Sequence, residues 1–303
     1  MSVASPRLER LFARATAIWQ ARPDLHAQHG AKESLGFWNW LMAAAWHLDP
    51  ELQQLLPTPP YELMRRVWGA NATADRFHDS GLSDAQGFYV RLAQAGFDFA
   101  APSALLDFGC GCGRLLRPLA RLADTTRFAG ADVDADAIQW CREHLDWADY
   151  AVLPVTPPSP FPAAHFAGVI AYSVFSHLAE ALHRAWLQEL ARITSRGAVL
   201  ILTVQGLHVA ERFASGRIAE FAVPSAEQMR RDLPALRERG FLFYPYPEGH
   251  NVSLPAADRG AGVHGMTFIL PEYIRAHWLD DFELVGVHAA PRDWQDEVVL
   301  RRR

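Results

Sequence analysis

One lysine, Lys32, is present in 303 residues, and arginine supplies nearly all the cationic charge. A P-loop and a Schiff-base site both need a placed lysine. Lys32 stands far from every motif, so both chemistries are excluded. Basic runs are missing too, and the formal net charge is -5. That argues against nucleic-acid binding as the main task. No apolar run reaches membrane-spanning length, so no membrane partner is expected. The N-terminal stretch is arginine-rich and amphipathic, a little like a transit peptide, but it lacks a signal-peptide core and contains Glu9.

Cysteine is scarce: Cys110, Cys112 and Cys141. The first two are too close together for an ordinary disulfide. An odd count without a framework fits a reducing, cytoplasmic compartment, where the sequons at Asn71 and Asn251 carry no meaning. No Cys/His partner pair follows at zinc spacing. No Asp/Asp-Asn metal set is evident either, and a metal-independent reaction is expected.

Half of the residues are hydrophobic, enough for a sizeable core. The length suits one large α/β domain or a domain with an added cap. The chain is organised around Leu105-Leu106-Asp107-Phe108-Gly109-Cys110-Gly111-Cys112-Gly113-Arg114. It reads as a buried strand, a glycine turn and the start of a helix. Glycine can take positive φ there and lets a ligand lie against the backbone. A helix start offers unpaired N–H groups.

The glycine spacing differs from the Gly-x-Gly-x-x-Gly of dinucleotide folds. Asp107, two residues before the first glycine, can reach an ammonium group, and a pyrophosphate would not want a carboxylate there. These residue types prefer a zwitterionic amino acid joined to a nucleoside, as in S-adenosylmethionine (SAM). Asp132 ends the next strand about twenty residues on, where a carboxylate accepts hydrogen bonds from ribose hydroxyls. Asp132, Asp134 and Asp136 could each instead cap the following helix.

The stretch resembles the first motif of the class I SAM-dependent methyltransferases. Tyr172-Ser173-Val174-Phe175-Ser176-His177-Leu178 resembles a segment of one bacterial group of that family. The runs beginning at Gly265 and Gln295 resemble that group's closing motifs. The resemblance implies a Rossmann-like α/β fold, mostly parallel, ending in an antiparallel hairpin. It implies SAM as cofactor, contacted by Asp107, Phe108, Gly109, Cys110, Gly111, Gly113, Arg114, Asp132, Val133, Tyr172 and Ser173. Phe166-Ala167 stands where many relatives have Phe-Asp, and the acid often found after the third strand is missing. Adenine would then be held by backbone groups and apolar contacts.

Four regions follow. Residues 1–100 form a helical N-terminal region, 101–205 the SAM-binding core, 206–268 an insertion, and 269–303 a helix and hairpin completing the core. In the first region Leu8, Leu11, Phe12, Ala15, Ile18 and Trp19 share one helical face. Asn71 to Ser80 reads as a turn or short helix. The tryptophans are core packing, or with Phe77, Trp68 or Tyr89 a lid over the ligand. Helices are expected over 112–122, with Pro118 inside it, and 179–194. Strands are expected over 104–108, 127–131, 150–153, 168–173, 198–204, 282–288 and 295–301. Prolines 154 to 162 make a stiff connection without a helix.

The insertion carries two helices, 208–214 and 225–239, and an aromatic and histidine loop. It is a substrate cover, or a structural cap or homodimer surface. Methyl transfer needs a nucleophile aligned with the methyl group and water excluded; an alcohol benefits from a general base. His177 and His264 lead the candidates for that base, with His250 and His208 beside them. His177 also reads as a residue that fixes its loop to the next helix. Tyr172, His208, Tyr244, Tyr246, His250 and His264 could bind the acceptor. The expected activity is O-methylation of a small acceptor, a sugar or secondary metabolite. A non-catalytic SAM-binding module and an NAD(P)-dependent reductase are the alternatives.

Overall fold

The computed structural model describes residues 5–22, 34–218, 223–247, 262–291 and 294–303. His250, Lys32 and the sequon at Asn251 lie outside the described residues. The chain forms two compact units: residues 1–94 with 98–152, and residues 95–97 with 153–303.

The first unit opens with α1 (Pro6–Gln20), capped by Ser5, whose hydroxyl accepts from the Arg7 and Leu8 N–H groups. Leu8, Leu11, Ala15 and Trp19 are buried along one face, as their spacing predicts. Helix α2 (Leu35–Ala45) runs into a 3₁₀ turn, Trp46–Leu48, then α3 (Pro50–Leu55) and α4 (Tyr61–Trp68). Trp19, Trp38 and Trp46 are buried; Trp68 is exposed and its indole N–H donates to Ser80 Oγ. Phe77 is fully buried, and Tyr89 packs on Phe99.

Asn71 to Ser80 is not a separate turn or short helix. Ala74–Gln94 is one helix, α5, through Gly81 and Gly87. A Cβ at Gly81 would come within 2.7 Å of the Arg114 carbonyl, so glycine there lets the helix approach that backbone. Close packing outweighs the low helix propensity of glycine.

Strands β1 (Ser103–Phe108), β2 (Thr126–Asp132) and β3 (Ala148–Val152) pair in parallel, with β2 between the other two. The register sets Phe108 opposite Ala131 and Asp132 opposite Val152. Leu105, Leu106, Phe128 and Ala131 are buried, the apolar-run pattern of a parallel sheet. The expected helix over 112–122 does not form as one piece. Turns continue to Leu115, a short α6 covers Leu116–Leu119, and a 3₁₀ turn ends it at Leu122. Gly113 has φ +78°, outside helical space, and Pro118 has no N–H to give the Arg114 carbonyl. Helix α7 (Ala135–His144) follows β2, and Asp134 caps it.

In the second unit β4 (Phe166–Ala171) and β5 (Thr194–Val204) are parallel and joined by α8 (Glu180–Ile193). Strand β5 starts at Thr194, earlier than expected, and Gly197 lies inside it at φ +82° where the register slips. The proline-rich stretch 153–165 contains no helix, as predicted.

The insertion holds α9 (Leu207–Ala214) and α10 (Ala226–Arg239). Ser225 and Gln228 form a reciprocal capping box on α10. Part of the expected aromatic loop is a strand: β6 (Phe241–Pro245) pairs antiparallel with β7 (Gly265–Ile269). Val209, Phe213, Met229, Leu236, Met266 and Phe268 give this region its own core. Helix α11 (Pro271–His277) leads to β8 (Phe282–His288) and β9 (Asp296–Arg302). Strand β9 is antiparallel to both β5 and β8. Strands β1 to β5 pair in parallel within their units and an antiparallel pair ends the chain, the strand set of a Rossmann-like methyltransferase fold.

Candidate active site

In the first unit the glycine turn closes on the end of β2. Gly109, Gly111 and Gly113 take φ values of +80°, +52° and +78°, a region where a Cβ is strained. The Gly109 and Cys110 N–H groups both donate to the Ala131 carbonyl. The Gly111 N–H donates to Asp132 Oδ2 at 2.7 Å, and Asp132 Oδ1 accepts the Asp134 N–H at 2.9 Å. The three acids thus divide their work. Asp134 caps α7 and Asp132 faces the turn. Asp136 joins Asp134 in pairing with Arg66 of α4. Burial pushes the Asp132 carboxyl above its usual range, and the N–H groups of Asp134 and Gly111 oppose that.

Asp107 is 1% exposed, and its Oδ2 has no hydrogen-bond partner among the described residues. Burial lifts its pKa from 3.8 to about 7; the Arg114 charge works against the rise and Asp132 adds to it. A buried, unpaired carboxylate oxygen is costly unless a donor meets it. The surroundings suit a cationic donor such as an ammonium group.

Phe108 is buried and Val133 is partly exposed beside Asp132. Arg114 turns to α5, where its guanidinium donates to Asp84 Oδ2 at 2.7 Å and to Ser80. Cys110, Cys112 and Cys141 are buried free thiols. Burial raises the pKa of Cys110 and of Cys112, so both stay neutral. Val67 of α4 lies on the turn, since a Cβ at Gly111 would approach its Cγ2 to 2.8 Å. Neither Val67 nor Arg66 carries a signal in the sequence that marks it as part of this constellation.

The second unit holds a directed chain of hydrogen bonds just after β4. The Ser173 N–H donates to Thr203 Oγ1, and the Thr203 hydroxyl donates to Gln295 Oε1 at 2.5 Å. Gln295 Nε2 donates to Ser173 Oγ at 2.9 Å and to Ser176 Oγ at 3.2 Å. Ser173 Oγ lies 3.2 Å from His177 Nε2. His177 Nδ1 lies 3.0 Å from the Gly265 carbonyl and 2.9 Å from Tyr246 Oη. A carbonyl only accepts, so the network assigns the proton to Nδ1 and leaves Nε2 as the acceptor of the Ser173 hydroxyl. Ser173 itself has φ +61°, a conformation uncommon outside glycine and often found at functional sites.

Tyr172 is half-buried beside Ser173. His264 lies in a bridge to Leu178, and the Tyr246 N–H donates to its carbonyl. Burial above all, with the repulsion a protonated His177 would add, lowers the His264 pKa to about 4, so the ring is neutral at physiological pH. Tyr244 gives its hydroxyl to Asp232 of α10 at 2.9 Å. His208 is exposed at the start of α9. The structure therefore joins Ser173, His177 and Tyr246 in one network and places Tyr244 and His208 outside it. Gln295 and Thr203 were missed as individual residues. The signal for Thr203 is a polar group near the end of an apolar run, where a partner is obligatory; Gln295, just before β9, carries no such signal.

Residues 105–197 match the family model described as a methyltransferase domain. Among solved structures, a Pyrococcus horikoshii protein is 13% identical with a TM-score of 0.50, covering 77% of this chain and 93% of its own. An S-adenosylmethionine-dependent methyltransferase from Mesorhizobium loti is 11% identical with a TM-score of 0.46, covering 71% and 97%. A Burkholderia thailandensis 1,6-didemethyltoxoflavin-N1-methyltransferase is 14% identical with a TM-score of 0.45, covering 80% and 83%. The likeness to the first is one of fold. No helix among the described residues is long and apolar enough to cross a membrane.

Proposed function

We propose that this chain, whose residues 105–197 match a methyltransferase-domain model, is a class I SAM-dependent methyltransferase that transfers the methyl group to a hydroxyl of a small organic acceptor such as a sugar or secondary metabolite. SAM supplies, when bound, a methyl group on a sulfonium whose leaving group is a neutral thioether. The residues of the first unit fit it. Asp107 offers its unpaired Oδ2 to the ammonium, and Asp132 offers its carboxylate to the ribose. The backbone at Gly109, Cys110, Gly111 and Gly113 leaves room for the amino-acid part. Phe108, Val133, Tyr172 and Ser173 complete the cofactor set, and Arg114 holds the turn to α5. The single observation that carries this reading is the buried Asp107 oxygen without a donor among the described residues.

An oxygen acceptor is supported by the directed chain that ends at His177. In this proposal the Ser173 hydroxyl turns away from His177 Nε2, the acceptor's O–H bond breaks and its proton goes to that nitrogen, while Nδ1 keeps its own proton, donated to the Gly265 carbonyl. Neutral His264 is the second imidazole of the acceptor side. Tyr172, His208, Tyr244, Tyr246 and His250 complete that side, Tyr244 through its ring face because its hydroxyl is taken. We assign residues 1–100 as lid, 101–205 as SAM-binding core, 206–268 as substrate cover and 269–303 as completing the core. We place the protein in the cytoplasm, acting as a homodimer without nucleic-acid partners. The test is transfer of labelled methyl from SAM to a panel of hydroxylated small molecules. The reading requires alkali-stable label in an ether; label confined to amines, carboxylates or nucleic acid contradicts it.

A further inference from the structure

Outside the residues assigned to SAM, the first unit gathers a second set of polar side chains. His47 lies in the 3₁₀ turn after α2, and His78 and Asp79 lie on α5. Their ligand-capable atoms all fall within 4.8 Å of one another. His78 is 3% exposed and its ring stacks on Trp46 at 4.2 Å. His78 Nε2 lies 3.4 Å from the Met42 carbonyl. His47 is bracketed by two carboxylates one helical turn apart on α5, with Nδ1 3.1 Å from Asp75 and Nε2 3.0 Å from Asp79.

We propose that His47, His78 and Asp79 form a site for one divalent transition cation of the zinc type, with Asp75 and the Met42 carbonyl orienting the two imidazoles. Two imidazoles and one carboxylate are the donor set that zinc and its first-row neighbours accept. A hard cation such as magnesium prefers oxygen ligands. His47 has a carboxylate on each nitrogen and His78 Nε2 faces the Met42 carbonyl, contacts of the kind that fix tautomer and ring orientation in metal sites. Three protein ligands leave a fourth position for water.

Zinc bonds of about 2.0–2.2 Å need the donor atoms closer than they lie now. Asp79 can supply the movement, because its side chain is 57% exposed. Arg117 is the nearby cation; its guanidinium is turned to the Leu56 and Pro57 carbonyls. A bound ion would tie the 3₁₀ turn to α5 and stiffen the helical region. It would take no part in methyl transfer.

The test uses the full chain without an affinity tag, stripped by a chelator and dialysed. Zinc and cobalt(II) are titrated separately, read by calorimetry and by the visible bands of four-coordinate cobalt. One equivalent should bind. The melting temperature should rise by about 5 °C at a hundredfold excess over Kd. His47→Gln and Asp79→Asn remove one half-buried and one exposed ligand and leave the core intact; each should abolish the cobalt bands while SAM affinity stays unchanged. Asp75→Asn should weaken binding about tenfold or more. No heat, band or melting shift at about 1 mM metal overturns the site. So does equal metal binding by wild type and both ligand variants, which would leave an ordinary His47 ion pair.

Discussion

The Gly111 N–H donates to Asp132 Oδ2 at 2.7 Å, so the carboxylate proposed for the ribose also holds the glycine turn in shape. Gly111 can serve there because it takes φ +52° and carries no Cβ to strike Val67. Gly111→Ala should therefore lower stability by about 1–2 kcal/mol and weaken SAM binding more than tenfold. Adding Val67→Ala should recover part of the loss by removing the clash, but not the φ strain. Urea denaturation and calorimetry read the two effects separately.

Asp107 gives a pH signature. Its folded pKa of about 7 stands above its ordinary 3.8. The folded state holds this proton more tightly than the unfolded state does. The contribution to stability is thus full below pH 4, falls as pH rises, and is lost above about pH 7. The loss is on the order of 4 kcal/mol at about 1.4 kcal/mol per pKa unit. Asp107→Asn should flatten that slope in urea denaturation between pH 5 and 8.

His177 should carry the proton transfer. His177→Gln should lower kcat about 10²- to 10⁴-fold and leave the Kd for SAM unchanged. Gln295→Leu should have a smaller effect of the same kind, because Ser173 would lose the donor that orients its hydroxyl. In wild type the acidic limb of the kcat profile should report the base, and His177→Gln should erase it. Retention of that limb in His177→Gln would assign the base elsewhere.

Arg66 fastens α4 to the start of α7 through Asp134 and Asp136. Its side chain is only 17% exposed. Arg66→Ala should cost about 1–2 kcal/mol in stability and speed proteolysis within residues 61–68. Limited proteolysis with and without S-adenosylhomocysteine measures this directly.

The strand and glycine turn were legible in the sequence because they are local. Strand, acid and glycine turn lie within ten residues, and Asp132 follows at the end of the next strand. The division of labour among Asp132, Asp134 and Asp136 was open at that level, since all three can cap a helix; geometry gave the cap to Asp134. The helix after the turn was overread, because apolar spacing does not report a glycine at positive φ or a proline's missing N–H. Helix α5 was underread, because its glycines look like breaks until Arg114 is seen against Gly81. The Ser173–Gln295 contact joins residues 122 apart, and no periodicity connects them. His47 and His78 come from different elements and escape a search for zinc spacing for the same reason.

The measurement closest to the central claim is calorimetric binding of S-adenosylhomocysteine at pH 8 to wild type and to Asp107→Asn. Wild type should bind one equivalent, the affinity should fall about tenfold per pH unit below pH 7 as Asp107 takes up its proton, and Asp107→Asn should bind at least 100-fold more weakly (about 2.7 kcal/mol). No binding by wild type, or equal binding by the two proteins, would contradict the assignment of Asp107 and its glycine turn as the cofactor site.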